Sequence, residues 1–284
     1  MGMEPTAPPN PPLTDPPAEA SLDPPMRVVI DGVGLEVQAI RPASARALAP
    51  IVFLHEGLGS VAMWRQRGGH WPSALCARTG RVGWMYSRRG YGASDPIPDV
   101  RGSGRQGPDY MHREAFDTLP CLLQALGLQQ PVLVGHSDGA TIALLHASQH
   151  PVAACVAMAP HIFVEDVALR AIAAARDAYP LGLRERLARY HADVDNAFWQ
   201  WNDVWLSPAF RAFDIRAACG RIAAPLLLVQ GTDDEYGTLD QLDAIAAGAP
   251  QAQRLVLPTC GHSPHRDRPD ALLQGVSAFL DAVP

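Results

Sequence analysis

The stretch Pro131-Val-Leu-Val-Gly-His-Ser-Asp-Gly-Ala140 determines how the rest of the chain is interpreted. Its residues 132–134 form an apolar, β-branched run that predicts a buried strand, and helix-like sequence follows from Ala140 to Ser148. The segment between them, Gly135-His-Ser-Asp-Gly139, has the pattern G-x-S-x-G. Because glycine lacks a Cβ, the two glycines let the backbones of strand and helix approach closely. We therefore expect Ser137 at the apex of a sharp turn, a nucleophile elbow, in a strained conformation with its Oγ exposed.

A serine in this position suggests nucleophilic chemistry. An exposed Oγ can meet both a partner base and an incoming carbonyl group, and the Asp138 N–H at the start of a helix can face a developing oxyanion. The alternative is a tight turn with an idle serine, since Gly and Ser are common residues. The clear strand before the turn and the clear helix after it favour the chemical interpretation.

Composition limits the class of protein. The 284 residues, 48% of them hydrophobic, suffice for one large α/β domain or two small ones. The net charge of −6 and the lack of a basic run argue against nucleic-acid binding. No stretch is apolar enough to span a membrane, and the N-terminus has no signal pattern, so we expect no membrane association. An odd number of scattered cysteines predicts reduced thiols and a cytoplasmic location; they are Cys76, Cys121, Cys155, Cys219 and Cys260. The oligomeric state is left open.

Strand-like and helix-like segments alternate along most of the chain. The predicted strands lie at residues 27–30, 35–40, 51–54, 82–86, 132–134, 154–159, 225–230 and 254–257. This alternation predicts an α/β fold with a mainly parallel sheet that helices cover on both faces. Residues 1–25 are rich in proline and poor in apolar residues, so we predict a disordered tail there. Residues 161–219 show no strand pattern, and we predict a helical insertion that divides the core into residues 26–160 and 220–284.

In parallel sheets, active sites lie at the carboxyl ends of the strands. One strand leads into Ser137, a later one into Gly231-Thr-Asp-Asp234, and the last into Cys260-Gly-His262. A serine needs a base to become a good nucleophile, and the base needs a carboxylate to orient it. The order Ser, Asp, His along one sheet edge provides all three groups.

These motifs resemble those of the α/β-hydrolase family, over about residues 26–284. The resemblance lies in His55-Glu-Gly-Leu-Gly-Ser60, Arg89-Gly-Tyr-Gly-Ala-Ser-Asp95, Gly135-His-Ser-Asp-Gly139, Gly231-Thr-Asp-Asp234 and Gly261-His262. It implies an eight-stranded sheet with a helical cap inserted after the sixth strand, where residues 161–219 fall. It implies little about the substrate, because this fold hosts many chemistries.

Carried over residue by residue, the resemblance implies a catalytic triad. Ser137 would be the nucleophile, and His262 would act first as general base and then as general acid. Family spacing selects Asp234 as the carboxylate, with Asp233 as the competitor. No metal and no cofactor is implied.

The resemblance also implies an oxyanion hole made by the backbone N–H groups of Gly57 and Asp138. The family often has a second glycine after the histidine of the oxyanion loop, whereas this chain has Glu56. We expect its carboxylate to point away from the pocket and to pair with Arg88 or Arg89. If it faces the pocket, it should disfavour acidic substrates.

Several residues of the insertion are candidates for lining a substrate pocket, because they are aromatic or follow a strand end. They are His161, Phe198, Trp199, Trp201 and Trp205. The leading hypothesis is a serine hydrolase that cleaves a small to medium carboxylic ester, lactone or thioester through an acyl-enzyme, with a small molecule as its partner.

Two alternatives remain. The first is a C–C bond hydrolase or an enol-lactonase of aromatic catabolism, whose substrates usually carry carboxylates. An arginine that reaches the pocket from the cap, such as Arg170 or Arg176, would favour this class, and an apolar pocket would favour the esterase. The second alternative is not an enzyme but a non-catalytic small-molecule receptor on the same fold.

Overall fold

A computed structural model of the protein describes residues 19–66 and 68–284. Residues 1–18 of the predicted tail therefore lie outside the described residues. Within the rest of that segment, Ala20–Leu22 form a strand that pairs antiparallel with residues 40–42, so that Ser21 lies opposite Arg41. The prediction of a tail up to residue 25 is wrong for this strand, because its backbone is paired at the edge of the sheet.

The described residues form eleven strands. They are β1 (Ala20–Leu22), β2 (Met26–Ile30), β3 (Val33–Pro42), β4 (Ile51–Leu54), β5 (Arg65–Gln66), β6 (Gly69–His70), β7 (Gly83–Tyr86), β8 (Val132–His136), β9 (Ala154–Met158), β10 (Leu226–Gly231) and β11 (Gln253–Leu257). Strands β5 and β6 form a separate short hairpin. The other strands form the main sheet.

The main sheet has the order β1-β3-β7-β4-β8-β9-β10-β11, and β2 also pairs with β3. Strands β1 and β2 pair with different parts of β3 on the edge opposite β7, so together they occupy one position. From β7 to β11 all neighbours are parallel, whereas β3 is antiparallel to β7. The sheet is thus eight positions wide and mainly parallel, which confirms the predicted fold class.

Helices follow most of the strands. They are α1 (Trp71–Thr79), α2 (Tyr110–Arg113), α3 (Leu119–Ala125), α4 (Asp138–Ala147), α5 (Asp166–Ala178), α6 (Leu183–Leu187), α7 (Val194–Trp205), α8 (Arg216–Cys219), α9 (Asp240–Gly248), α10 (Pro264–Asp267) and α11 (Pro269–Leu280). Between α2 and α3 the chain forms a π-helical segment, Glu114–Thr118. It lies just before Pro120, which lacks the N–H that a continuous α-helix would donate to Phe116.

The sheet separates two apolar layers. In β4, Val52 and Leu54 belong to the cluster that α2, α3 and α4 cover, whereas Ile51 and Phe53 belong to the cluster that α1 and α11 cover. All residues of β4, β8, β9 and β10 are buried. Because both faces of these central strands are covered, their sequences are continuously apolar rather than alternating.

Between β9 and β10 the described residues form helices α5 to α8 and connecting turns, with one isolated β-bridge between Phe163 and Asp214. Helix α7 is fixed to the loop after β7 by polar contacts. The Asn196 side chain exchanges two hydrogen bonds with the backbone of Ile97, at 3.1 and 2.8 Å, and Arg101 pairs with Asp203 at 2.9 Å. This attachment brings the aromatic face of α7 to the carboxyl edge of the sheet. No helix in the described part of the chain is long and apolar enough to cross a membrane.

Candidate active site

Ser137 lies between β8 and α4 with the backbone angles φ 54° and ψ −118°. Residues other than glycine rarely adopt a positive φ, and such strain often marks a functional site. The Ser137 N–H donates a hydrogen bond to the carbonyl of Met158 at the end of β9, at 2.9 Å, and its own carbonyl accepts one from the Ala140 N–H. The positive φ confirms the predicted strained conformation of Ser137, and the two hydrogen bonds hold it.

The glycines on both sides of the serine are required by close backbone contacts. A Cβ added to Gly135 would lie 2.2 Å from the carbonyl oxygen of Gly139. A Cβ added to Gly139 would lie 2.2 Å from the carbonyl oxygen of Leu54, in the neighbouring strand β4. Because the opposing atoms belong to the backbone, a side-chain movement cannot relieve the overlap.

Gly139→Ala is therefore expected to lower the free energy of unfolding by at least about 2 kcal/mol, as overpacking of a rigid interior typically does. Urea denaturation followed by circular dichroism measures this change. Gly68→Ala is the control, because an added Cβ there meets nothing within 4 Å. Equal midpoints for the two variants would contradict the prediction.

His262 lies between Ser137 and Asp234. Its Nε2 is 2.9 Å from the Ser137 Oγ, and its Nδ1 is 2.9 and 3.1 Å from the two carboxylate oxygens of Asp234. The three residues follow three different strands, β8, β10 and β11. In such a series the imidazole can take the serine proton while the carboxylate holds the ring and stabilises its positive charge. The structure thus brings together the three side chains that the sequence assigned to catalysis.

The contacts of the two neighbouring aspartates differ. Asp234 is buried, and its Oδ1 accepts hydrogen bonds from the backbone N–H groups of Tyr236 at 2.8 Å and Gly237 at 3.2 Å. Burial alone would raise its pKa, but the hydrogen bond to His262, the charge of that ring and the Tyr236 N–H together hold the pKa below its usual value. Asp233 is exposed and accepts a hydrogen bond from the Thr232 hydroxyl. The geometry therefore associates His262 with Asp234 and not with Asp233.

The peptide group between Glu56 and Gly57 is fixed by three donors to its carbonyl oxygen. They are the His55 Nδ1–H at 2.7 Å, the Arg88 Nη2–H at 3.0 Å and the Gly59 N–H at 3.0 Å. His55 is buried, which lowers its pKa well below the usual value, and its Nε2 accepts a hydrogen bond from the Arg88 N–H. In a trans peptide the N–H points away from the carbonyl, so the Gly57 N–H is held on the opposite side.

The second predicted oxyanion donor is the N–H of Asp138. Asp138 is the first residue of α4, where the backbone N–H groups have no partner within the helix and the helix dipole is positive. Among the hydrogen bonds of the described residues, neither this N–H nor that of Gly57 has an acceptor. Both residues line the same cavity as Ser137. Two unpaired donors thus lie beside the serine that would attack a carbonyl group.

The side chain of Asp138 belongs to a buried network behind the turn. Its Oδ2 accepts a hydrogen bond from the Tyr110 hydroxyl at 2.6 Å and lies 3.7 Å from Nη1 of Arg88. The Tyr110 oxygen in turn accepts a hydrogen bond from the indole N–H of Trp205 at 2.9 Å. Burial raises the pKa of Asp138, and the charge of Arg88 and the bond from Tyr110 offset this only in part.

A cavity of about 240 Å³ opens beside Ser137 and His262, between the sheet edge and the cap. Its further lining residues are Glu56, Gly57, Leu58, Met63, His136, Asp138, His161, Ile172, Leu187, Trp201, Trp205, Glu235, Tyr236, Ser263 and Arg266. Three of the predicted pocket residues, His161, Trp201 and Trp205, are among them. Burial and the nearby His262 lower the pKa of His161 to about 3, so its ring is neutral. In the described part of the chain, no three His, Cys, Asp or Glu side chains form a group that could hold a metal ion.

The other two predicted pocket residues do not line the cavity, and that prediction is wrong. Phe198 is fully buried inside the cap, where its ring stacks on Tyr179 at a centroid distance of 3.8 Å. Trp199 faces another side of α7, where the guanidinium of Arg101 lies 3.8 Å from its ring centroid. Trp201 and Trp205 are four residues apart and so share one face of the helix.

The expected pairing of Glu56 is also wrong. Glu56 lines the cavity, its carboxylate pairs with Arg266 at 3.2 Å and lies 3.4 Å from Nδ1 of His136, and Arg88 binds its backbone carbonyl. Burial opposes ionisation of Glu56, but His136 and Arg266 hold its pKa well below the usual range. The arginine at the cavity is therefore Arg266, which lies beyond His262 in the chain and not in the cap.

Sequence reasoning missed three further residues around His262. Tyr236 lies with its ring 4.6 Å from that of His262, and Glu235 accepts a hydrogen bond from the His262 N–H at 3.1 Å. The Nε2–H of His136 donates a hydrogen bond to the His262 carbonyl at 2.7 Å. Two signals could have found them: residues 235 and 236 directly follow Asp234, and residue 136 directly precedes Ser137.

A sequence model of the alpha/beta hydrolase family matches residues 51–274, which is most of the chain and includes the residues described above. The chain belongs to the alpha/beta hydrolase family. The family assignment confirms the resemblance and identifies the protein as a hydrolase.

Known proteins similar to this hydrolase include a curated mouse protein and two solved structures. The mouse sn-1-specific diacylglycerol lipase ABHD11 is 26% identical over 265 residues, which cover 82% of this chain and 81% of that protein. The enol-lactonase from Burkholderia xenovorans LB400 superimposes with a TM-score of 0.70 at 18% identity, covering 90% of this chain and 100% of the other. A hydrolase from Pseudomonas aeruginosa PA01 gives a TM-score of 0.68 at 20% identity, with 91% and 99% covered. At such identities the two structures support the fold alone.

Proposed function

We propose that this hydrolase is a serine hydrolase that cleaves a small carboxylic ester, lactone or thioester through an acyl-enzyme. The observation that carries the proposal is the continuous series from the Ser137 Oγ through His262 to Asp234, beside two backbone N–H groups without acceptors. The name of the mouse relative, a diacylglycerol lipase, adds support for an ester as the type of bond.

The mechanism follows from the roles that these groups can take. His262 Nε2 accepts the proton of the Ser137 hydroxyl as the oxygen attacks the carbonyl carbon, and Asp234 stabilises the imidazolium through Nδ1. The N–H groups of Gly57 and Asp138 bind the negative oxygen of the tetrahedral intermediate. His262 then protonates the leaving oxygen or sulfur, which leaves an acyl group on Ser137. A water molecule activated by His262 attacks this acyl group, and the acid is released.

Cavity size and charge favour a small, uncharged substrate. A volume of about 240 Å³ lies below the usual range of about 300–1,000 Å³ for ligand sites. Glu56 and Glu235 line the cavity, and Glu56 already pairs with Arg266, the one arginine among the described lining residues. Neither Arg170 nor Arg176 of the cap lines the cavity. Substrates that carry carboxylates are therefore disfavoured, which argues against the dienoates and lactones of the alternative hypothesis.

The test combines a covalent probe with an ester series. A fluorophosphonate should label the protein at Ser137, as located by peptide mass spectrometry. Among p-nitrophenyl esters, kcat/KM should be highest from acetate to butyrate and at least about tenfold lower for decanoate, because the cavity cannot hold a long acyl chain. Folded protein that resists the probe, in a buffer where a known serine hydrolase reacts, would overturn the proposal and favour a receptor.

A further inference from the structure

The indole N–H of Trp201 is a donor at the cavity that the mechanism above does not use. Trp201 is only 6% exposed and lines the cavity, yet its N–H has no acceptor among the described residues. The other indole at the cavity, that of Trp205, donates to the Tyr110 oxygen. A substrate that fills the cavity would exclude water from this donor, and a donor left without water or an acceptor is costly, so an unpaired N–H at the cavity wall favours a ligand with an acceptor there.

The position of this donor is defined by Gly57. A Cβ added to Gly57 would lie 2.2 Å from Nε1 and 2.4 Å from Cδ1 of Trp201. The N–H edge of the indole therefore lies directly against the Cα of the residue whose own N–H is the proposed oxyanion donor. An oxygen held by Trp201 would be close to the scissile carbonyl group. Only glycine at position 57 permits this approach.

The neighbours of His262 indicate which side of the substrate Trp201 contacts. His262 must lie beside the leaving group, because it protonates that group. The rings closest to His262 are those of Tyr236 at 4.6 Å, His136 at 5.2 Å and His161 at 5.5 Å. Trp201 makes no ring contact with His262 in the described part of the chain and instead contacts Gly57 and Phe198. It thus belongs to the wall away from the leaving group, where the acyl part lies.

We propose that the Trp201 N–H donates a hydrogen bond to an oxygen in the acyl part of the substrate that is bound to the α-carbon, two bonds from the scissile carbonyl carbon. The preferred substrates are then esters of acids that carry an ether, hydroxyl or keto oxygen at this position, rather than esters of plain alkanoic acids. This inference rests on the proposed function, because it assigns the acyl side from the roles of Ser137 and His262.

The test compares p-nitrophenyl methoxyacetate with p-nitrophenyl butyrate, two esters of equal length in which an oxygen replaces one methylene. Each kcat/KM is divided by the rate constant for hydroxide-catalysed hydrolysis of the same ester, which removes the difference in intrinsic reactivity. The wild type should then prefer methoxyacetate by about tenfold, the usual effect of one hydrogen bond to a buried donor. Trp201→Phe should bring the ratio close to one by slowing methoxyacetate hydrolysis.

Trp199→Phe is the matched control, since its ring lies on the same helix outside the cavity and beside Arg101, and it should keep the wild-type ratio. If Trp201→Phe slows the hydrolysis of both esters equally, the indole acts as an apolar contact or as an oxyanion donor, and the inference is overturned. A wild-type ratio near one overturns it without any variant. Both of these outcomes leave ester hydrolysis dependent on Ser137. If no Ser137-dependent hydrolysis is found at all, the proposed function itself is wrong.

Discussion

Ser137→Ala is expected to lower kcat/KM for p-nitrophenyl acetate by about 10⁵- to 10⁶-fold, the loss that removal of a catalytic serine typically causes. The substitution deletes the oxygen that would form the acyl-enzyme, while the Gly57 and Asp138 N–H groups remain in place. The small residual rate should come from oxyanion binding and positioning alone. Steady-state hydrolysis gives the ratio of kcat/KM between wild type and variant, provided that the protein concentration is high enough to detect the residual rate.

The control for this change is Ser263→Ala. Ser263 lines the same cavity and is the residue next to His262, but it has no place in the proton path and should retain activity within about threefold, as neutral substitutions do. Fluorophosphonate labelling should be lost in Ser137→Ala and kept in Ser263→Ala. Substantial turnover by pure Ser137→Ala protein would show that another group performs the chemistry.

The turn around Ser137 could be predicted because its determinants are local. The sequence of residues 132–140 alone contains the apolar strand, the two glycines and the start of the helix. The positive φ of Ser137 and the close contact of Gly135 with Gly139 lie within that stretch, whereas the contact of Gly139 with Leu54 depends on the pairing of β8 with β4. The eight positions of the sheet could be predicted for the same reason, since each central strand is a short, continuously apolar run.

The contacts that shape the cavity could not be predicted in this way, because they join distant parts of the chain. Glu56 pairs with Arg266, 210 residues away, and no local pattern shows that α10 turns this guanidinium back towards the loop after β4. The aromatic run in α7 predicts that one face of the helix is buried, but it does not predict which of the aromatic side chains face the cavity. The structure turns Trp201 to the cavity and Trp199 to Arg101, and this choice depends on how the loop after β7 binds α7.

The paired edge strand β1 shows the same limit in a polar, proline-rich region. Residues 1–25 as a whole contain too few apolar residues to predict a strand from composition. The strand Ala20–Leu22 is held by backbone pairing with residues 40–42 and by the packing of Ala20 and Leu22 against the apolar cluster under α1, and both contacts come from distant parts of the chain.

Asp234→Asn is expected to lower kcat/KM by about 10³- to 10⁴-fold, as loss of the triad carboxylate does in known serine hydrolases. The physical reason lies in the hydrogen bonds around Asp234. The N–H groups of Tyr236 and Gly237 donate to Oδ1, so the amide oxygen of an asparagine would take that position. Its NH₂ would then face Nδ1 of His262, which is 3.1 Å from Oδ2. This contact stabilises the tautomer with the proton on Nε2, which cannot accept the proton of Ser137.

The matched control is Asp233→Asn, which changes the same charge one residue away. It should remain within about threefold of the wild type, because Asp233 is exposed and its carboxylate accepts a hydrogen bond from the neighbouring Thr232 hydroxyl and none from His262. Since contact with His262 holds the pKa of Asp234 below its usual value, its carboxylate is ionised at neutral and alkaline pH. The loss of kcat/KM in Asp234→Asn should therefore persist at neutral pH. It should become smaller at alkaline pH, where hydroxide can take the place of Nε2 of His262 as the base. A loss of comparable size in Asp233→Asn, with Asp234→Asn nearly active, would move the orienting role to Asp233 and contradict the geometry.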